Sequence, residues 1–283
     1  MNQIDNYFRI IESPQNDRIK QLKIHLEGGA SANKLRLETS QAIIEGIHLL
    51  SAWLDSDHFS KISSVICTPE SLKNPEIQDL IQKLISKVQD NDFDFPEMIL
   101  IDPKLAKQVS SLGNGPTLIC QIKIPSIVFK LDESVDCLII DGVQDAGNVG
   151  TMLRTAAAAG FSRVFCTKGT ANVWSTKVLR AGMGAHTHLQ ITEGISPKDF
   201  ISSPQEIFVT SLMSESKSIY EVTDALMKPH TWVFGNEGAG VHEDFLNIGT
   251  QVYIPQDKHV ESLNVASACA VCLFETRRVR HFN

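Results

Sequence analysis

Apolar positions along the chain change their period several times, and each change marks an element. Arg18–Glu27 carries Ile19, Leu22 and Leu26 at helical spacing. "LETSQAIIEGIHLLSAWL" predicts a short strand and then a helix with Ile47, Leu50 and Leu54 on one face. "ISSVICT" is rich in β-branched residues and predicts a strand. The helix over Pro75–Val88 opens on a proline, which suits a first helical turn. "EMILID" reads as a strand, "PKLAKQVSS" as a short helix, and "GNGPTLICQIKIP" as a turn followed by a strand.

Around Pro125–Glu133 the pattern weakens, so a linker at 127–134 separates a domain at 1–126 from one at 135–283. The second domain reads as βα units. Its strands are "DCLIIDG", "RVFCT", "THLQIT", "EIFVTSL", "TWVFGN" and "QVYIP". Its helices run over 148–160, from about Thr176, from about Asp244, and from Asn264 to about Arg278. Continuous apolar strands between helices predict a parallel sheet covered on both faces. Ligands of such sheets sit at the C-terminal ends of the strands.

Composition adds boundaries rather than detail. The chain has 283 residues, 42% hydrophobic and 21% charged, as expected of a soluble globular protein. No apolar run approaches the roughly 20 residues that span a bilayer, and "MNQIDNYFRIIESPQ" is no signal peptide. A cytoplasmic protein with no membrane partner is expected. The net charge of −7 argues against broad nucleic-acid binding, and DNA is not expected as a partner. Arg9–Arg36 nonetheless holds six Lys/Arg against three acids, which reads either as a basic patch or as one solvated helix face. Cys269 and Cys272 form a C-x-x-C inside an apolar helix, where core packing outweighs metal or redox use.

Three loops carry the candidate chemistry, and each follows a strand of the second domain. "DGVQDAGNVGTMLR" ends a strand and opens a helix. Asn148 has the side chain of an N-cap, and Arg154 lies six residues on. A capped helix with a surface arginine is the plain alternative. "WVFGNEGAGV" holds three glycines within six residues, a surface where a ligand can meet backbone, beside Asn236 and Glu237. "VYIPQDKHVESLNVASACAV" brings Ser262, Leu263 and Asn264 to a helix start, where Ser262 or Asn264 is also a candidate cap. A glycine wall with an arginine suggests a nucleotide-like cofactor and a phosphodiester substrate. "GNVGTM" lacks the G-x-G-x-x-G spacing of a dinucleotide oxidoreductase. His186 and His188 share a strand face in this reading, but no further ligand completes a metal set, and no metal is expected.

These loops resemble, in order and spacing, the three motifs of the SpoU/TrmH RNA ribose methyltransferases of the SPOUT superfamily. The first motif is matched at Asp141, Asp145, Asn148, Gly150, Arg154 and Ala156, the second at Phe234–Gly240 and the third at Ile254–Val265. "RAGMGAHTHLQI" resembles the family's intervening segment. More loosely, "IIESPQNDRIKQL" and "LETSQAIIEGIHLL", with Arg36, Glu45 and Gly46, resemble the family's N-terminal L30e-like substrate-binding module. Three positions depart from the pattern: Ala146 stands where proline is usual, and Gln256 and Lys258 stand where the third motif has methionine and glycine.

The resemblance implies an α/β fold. Its C-terminal parallel sheet would hold a deep trefoil knot, and its smaller N-terminal domain would be L30e-like. It implies S-adenosyl-L-methionine as cofactor, held at Leu212, Met213, Gly235, Asn236, Gly238, Ile254 and Leu263. It implies methylation of a ribose 2′-hydroxyl, with Arg154, Asn148, Glu237, Ser262 and Asn264 as catalytic residues. An arginine is a poor base, so Arg154 is expected to stabilise the developing alkoxide. RNA contacts are expected at Arg18, Lys20, Arg36 and Lys258. A homodimer acting on ribosomal rather than transfer RNA is implied. The alternatives are a transfer-RNA 2′-O-methyltransferase and an RNA-binding paralogue without turnover.

Overall fold

The computed structural model describes residues 6–113, 115–259 and 261–282. In chain order the elements begin with β1 (Phe8–Ile11), α1 (Asp17–Glu27), α2 (Gly29–Thr39), β2 (Gln41–Glu45) and α3 (Ile47–Asp55). Next come β3 (Ile62–Cys67), α4 (Pro75–Asp90), β4 (Glu97–Ile101), α5 (Pro103–Val109) and β5 (Leu118–Lys123). The second half holds β6 (Cys137–Asp141), α6 (Ala146–Ala159), β7 (Arg163–Thr167), α7 (Thr176–Gly182), β8 (Gln190–Ile195) and β9 (Glu206–Thr210). It closes with β10 (Lys217–Ser218), α8 (Thr223–Leu226), β11 (His230–Gly235), α9 (Glu243–Ile248), β12 (Thr250–Tyr253) and α10 (Val265–His281). Two compact units result: 1–126 with 174–187, and 127–173 with 188–283.

Unit 1 is built on a mixed sheet in the order β1-β4-β3-β5-β2, in which β5 runs antiparallel to both neighbours. Local chemistry sets its helix starts. Asn16 caps α1 by accepting from Arg18 N, and Asn74 caps α4 directly before Pro75. The α4 face of Ile77, Leu80, Ile81, Leu84, Ile85 and Val88 is buried, as its helical spacing predicts. Ile19, Leu22, Ile43, Ile66, Ile99 and Ile119 belong to one apolar cluster of this unit.

Unit 2 contains a seven-stranded, wholly parallel sheet in the order β10-β12-β9-β11-β6-β7-β8. Its central strands are mostly apolar because both faces are covered: all five residues of β6 and all six of β11 are buried, with Asp141, His230 and Thr231 the polar ones. Ile139, Phe165, Phe200, Val209, Val233 and Phe245 pack in one cluster. Among the described residues no helix is long and apolar enough to cross a membrane.

Several elements differ from the sequence expectation. β1, α2, β10 and α8 were not predicted, since each is short or lacks a clean apolar period; α2 buries only Ala32 and Arg36. The strand expected over 187–192 starts at Gln190 instead. Met183 and Gly184 both have positive φ, and Thr187 N donates to Gly184 O, so the chain turns there. His186 and His188 therefore lie in a short 3-10 turn rather than on one strand face.

Candidate active site

The three loops meet at the C-terminal ends of β6, β11 and β12. The first leads into α6, whose cap is Asp145: its Oδ1 accepts from Asn148 N at 2.7 Å. The cap assigned to Asn148 from sequence thus belongs to the residue three before it. Relieved of capping, the Asn148 carboxamide reaches across the loops. Its Nδ2 donates to Glu237 Oε1 at 2.8 Å, and its Oδ1 accepts from Asn264 Nδ2 at 3.1 Å.

The second loop is shaped by Gly235 and Asn236. A Cβ at Gly235 would stand 2.3 Å from both Gly240 C and Val241 N, so only glycine fits. Asn236 Oδ1 accepts from Gly238 N and Ala239 N, and its Nδ2 donates to Gly142 O, each at 2.9 Å. The third loop ends at Asn264, which caps α10 by accepting from Ala266 N and Ser267 N. One side chain thus caps a helix with its oxygen and binds Asn148 with its nitrogen.

Beside this network lies a cavity of about 690 Å³. All seven residues expected at the cofactor line it: Leu212, Met213, Gly235, Asn236, Gly238, Ile254 and Leu263. Glu237, Ser262 and Asn264 line it too, and so does Gln256, one of the departures from the motif. Leu212 and Met213, 63% and 60% exposed, give the cavity an apolar flank. A tight backbone cradle at Gly235 with an apolar flank and a carboxylate at the rim fits a cationic nucleoside cofactor.

Arg154 stands apart. It follows Gly147 by seven residues on α6, so the two share a side, whereas Asn148 is turned about 120° away. Thr151, Arg154 and Ala158 are exposed along that stripe. Arg154 does not line the cavity, and among the described residues its guanidinium has no hydrogen-bond or ion-pair partner.

Of the expected RNA contacts, Lys258 is exposed, and Lys20 is exposed and paired with Asp17 at 3.1 Å. Arg18 meets Glu97 at 3.0 Å and Gln121 at 3.3 Å. Arg36 departs from the expectation: it is 4% exposed, and its Nη2 donates to Asn33 Oδ1. The turn from α1 into α2 folds it inward near His25. The basic count from Arg9 to Arg36 therefore overstates the cationic surface.

Asp141 was not assigned a role from sequence. Buried at the end of β6, it accepts from Thr167 Oγ1 and His242 N, both at 2.7 Å, tying the first loop to the turn before α9. Its place at a strand end, first in the motif, was the available signal.

Fold and site together define an α/β enzyme with a nucleotide-type cofactor cavity at the C-terminal edge of a parallel sheet. Residues 137–274 match the SpoU rRNA Methylase family. A protein of Synechocystis sp. described as an uncharacterized tRNA/rRNA methyltransferase is 31% identical over 277 residues, covering 95% of this chain and 93% of that protein. The 23S rRNA (guanosine(2553)-2′-O)-methyltransferase RlmP of Bacillus subtilis is 28% identical over 278 residues, covering 94% and 98%. The crystal structure of an AdoMet-bound rRNA methyltransferase from Sinorhizobium meliloti superposes with a TM-score of 0.78 at 24% identity, covering 96% of this chain and 98% of that one, and shares its fold. The chain belongs to the SpoU family of methylases.

Proposed function

We propose that this protein transfers the methyl group of S-adenosyl-L-methionine to a ribose 2′-hydroxyl of RNA, in ribosomal RNA ahead of transfer RNA. One observation carries the reading: the Asn264–Asn148–Glu237 chain stands at the rim of the cavity whose wall is Gly235. The preference for ribosomal RNA is supported by the Bacillus subtilis relative, named for that substrate and matched along nearly its whole length.

Leu212, Met213, Ile254 and Leu263 would cover the cofactor's apolar surface, and the Gly235–Gly238 backbone would meet its polar edges. When bound, the cofactor supplies a methyl group on a sulfonium, a good leaving group. The ribose 2′-oxygen forms a bond to the methyl carbon as the carbon–sulfur bond breaks, and the hydroxyl proton leaves to solvent or a substrate phosphate. Asn148, Glu237, Ser262 and Asn264 orient the ribose, which is the main requirement of an in-line attack. Arg154 stabilises the developing negative charge on the 2′-oxygen.

Arg154 reaches its task within a homodimer. This is supported by the exposed stripe on α6 and by Val271 and Phe274 on the adjoining α10, 40% and 45% exposed. A trefoil knot in unit 2 is supported by the insertion of β12, the last strand, between β9 and β10. Unit 1 is an L30e-like RNA-binding module that offers Arg18 and Lys20, while Lys258 extends the RNA surface of unit 2. The protein works in the cytoplasm, which is supported by six free, buried cysteines.

The test uses purified protein, methyl-labelled cofactor, and ribosomal and transfer RNA from cells lacking the protein. Label recovered in 2′-O-methylnucleosides of ribosomal RNA is the expected result. Label only in transfer RNA would move the substrate. No transfer to either RNA, with the cofactor bound, would leave an RNA-binding protein without turnover.

A further inference from the structure

Unit 1 holds a second cavity, of about 630 Å³, that the proposed chemistry does not use. It lies where β3 and β4 end and β5 begins: Thr68 follows β3, Pro103 opens α5 after β4, and Thr117 precedes β5. Lys73 and Lys107 line it from the turn after β3 and from α5. Both are exposed, and neither makes a salt bridge among the described residues. Glu70 is the one acid among the described lining residues. Asn74 and several hydroxyl groups complete the polar lining, with Thr68 and Ser71 bonded to each other at 2.8 Å.

The Glu45–Gly46 pair, which resembles a family segment but has no part in methyl transfer, supports one wall of the cavity. Glu45 is 7% exposed and accepts from Ser111 N at 3.0 Å, as well as from the hydroxyls of Ser110 and Ser111. Gly46 has φ +98°, and a Cβ there would meet Leu112 Cδ1 at 3.4 Å. Leu112, like Ser110, lines the cavity. A buried carboxylate is costly unless it is hydrogen-bonded. Here its hydrogen bonds hold the 110–112 loop, and Arg180 Nη2, 3.8 Å from Oε2, supplies a counter-charge.

We propose that this cavity binds one unpaired nucleotide of the RNA, with its phosphate between Lys73 and Lys107 and its ribose against the hydroxyls of Thr68, Ser110 and Thr117. The inference rests on RNA being the substrate. The volume exceeds that of a lone phosphate and lies within the range of small-molecule sites, roughly 300–1,000 Å³. Two lysines with no ion-pair partner among the described residues match a phosphate, and the Thr117 hydroxyl with the acceptor sites still open on the Thr68 and Ser110 hydroxyls matches a ribose.

The test compares Lys73→Gln/Lys107→Gln with wild type and with Lys104→Gln. Lys104 is exposed on α5, outside the cavity, and controls for general charge. Ribosomal RNA binding is measured by titration at several salt concentrations, and methyl transfer is followed in parallel. The double variant is expected to weaken RNA binding roughly fivefold and to lower the slope against log salt by about 0.7, one single-strand phosphate contact. Its KM for RNA rises with kcat and cofactor affinity unchanged, and Lys104→Gln matches wild type. A free nucleoside monophosphate that competes with RNA for wild type but not for the double variant would also support the site. Equal RNA binding by the double variant and wild type, or an equal loss in Lys104→Gln, overturns the inference. Wild type that binds RNA but transfers no methyl group would instead sink the activity proposed above and leave this site standing.

Discussion

The Asn148 carboxamide donates to the Glu237 carboxylate across 2.8 Å, joining loops 89 residues apart in sequence. With its oxygen taken by Asn264, Asn148 is fixed from both ends. Asn148→Ala leaves the cavity walls in place but frees Glu237 and Asn264. Turnover is expected to fall roughly 10- to 100-fold, the scale of a misplaced reacting group, with cofactor affinity nearly unchanged. Glu237→Gln retains an acceptor for Asn148 and is expected to lose less. Steady-state kinetics with cofactor titration check both, and tighter coupling of turnover to Glu237→Gln than to Asn148→Ala would reverse the assignment.

Arg154 is exposed and has no partner among the described residues, so its removal costs the fold little. Arg154→Ala is expected to keep the melting temperature and the cofactor affinity while losing methyl transfer by about 100-fold or more. Arg154→Lys retains the charge but loses the planar fork, and is expected to fall between the two. Single-turnover assays separate the chemical step from binding. Near-normal rates in Arg154→Ala would remove the residue from the mechanism.

The site was legible where local chemistry and position coincide. Gly235 ends a buried strand and Gly238 follows within three residues, so the glycine spacing alone located the loop. The seven residues expected at the cofactor share one cavity because they lie at the C-terminal ends of β9, β11 and β12 or in the loops that follow, all on one parallel sheet. What sequence did not reveal depended on competition between neighbours. Asp145 and Asn148 are both good caps, and only the fold decided that Asp145 takes the role and releases Asn148. Arg36 looked like surface because charge is counted without burial, yet the Gly28–Gly29 turn, both with positive φ, carries α2 back over α1. β1 was missed because its alternation is faint: Ile10 is exposed on an edge strand.

Gly235 admits no side chain. A Cβ 2.3 Å from the backbone at Gly240 and Val241 cannot be relieved by rotating a side chain, so the loop must move. Gly235→Ala is expected to destabilise the fold by about 1–3 kcal/mol, the range of overpacking. Cofactor binding is expected to weaken by more than the stability loss alone explains. Gly113, with nothing within 4 Å of an added Cβ, is the matched control. Denaturant unfolding and calorimetric titration of both variants check this, and a Gly235→Ala protein with normal affinity would show that the cradle does not hold the cofactor.

Of the three buried histidines among the described residues, His25 and His230 are expected to contribute to the acid limb of stability. Burial lowers the His25 pKa from 6.5 to about 4, helped by the nearby Arg36 charge. Burial lowers that of His230 to about 4 as well, against the opposing pull of Asp136. In the unfolded chain both titrate near 6.5. Between about pH 6.5 and 4 the unfolded state binds more protons, so stability is complete above that window and falls as pH falls through it. His25 contributes up to about 3 kcal/mol to that loss, at about 1.36 kcal/mol per unit of pKa displacement. Among the described residues neither ring nitrogen of His25 has a hydrogen-bond partner, so His25→Leu removes a titrating group without breaking a bond. The variant is expected to match or exceed wild type at pH 7 and to lose markedly less stability at pH 5. His230→Leu is expected to differ, because it also abandons Thr276 Oγ1, 3.0 Å from Nε2, and Lys228 O, 2.8 Å from Nδ1. Urea unfolding of both variants at the two pH values checks the pair. An unchanged acid slope in His25→Leu would assign the limb to the carboxylates instead.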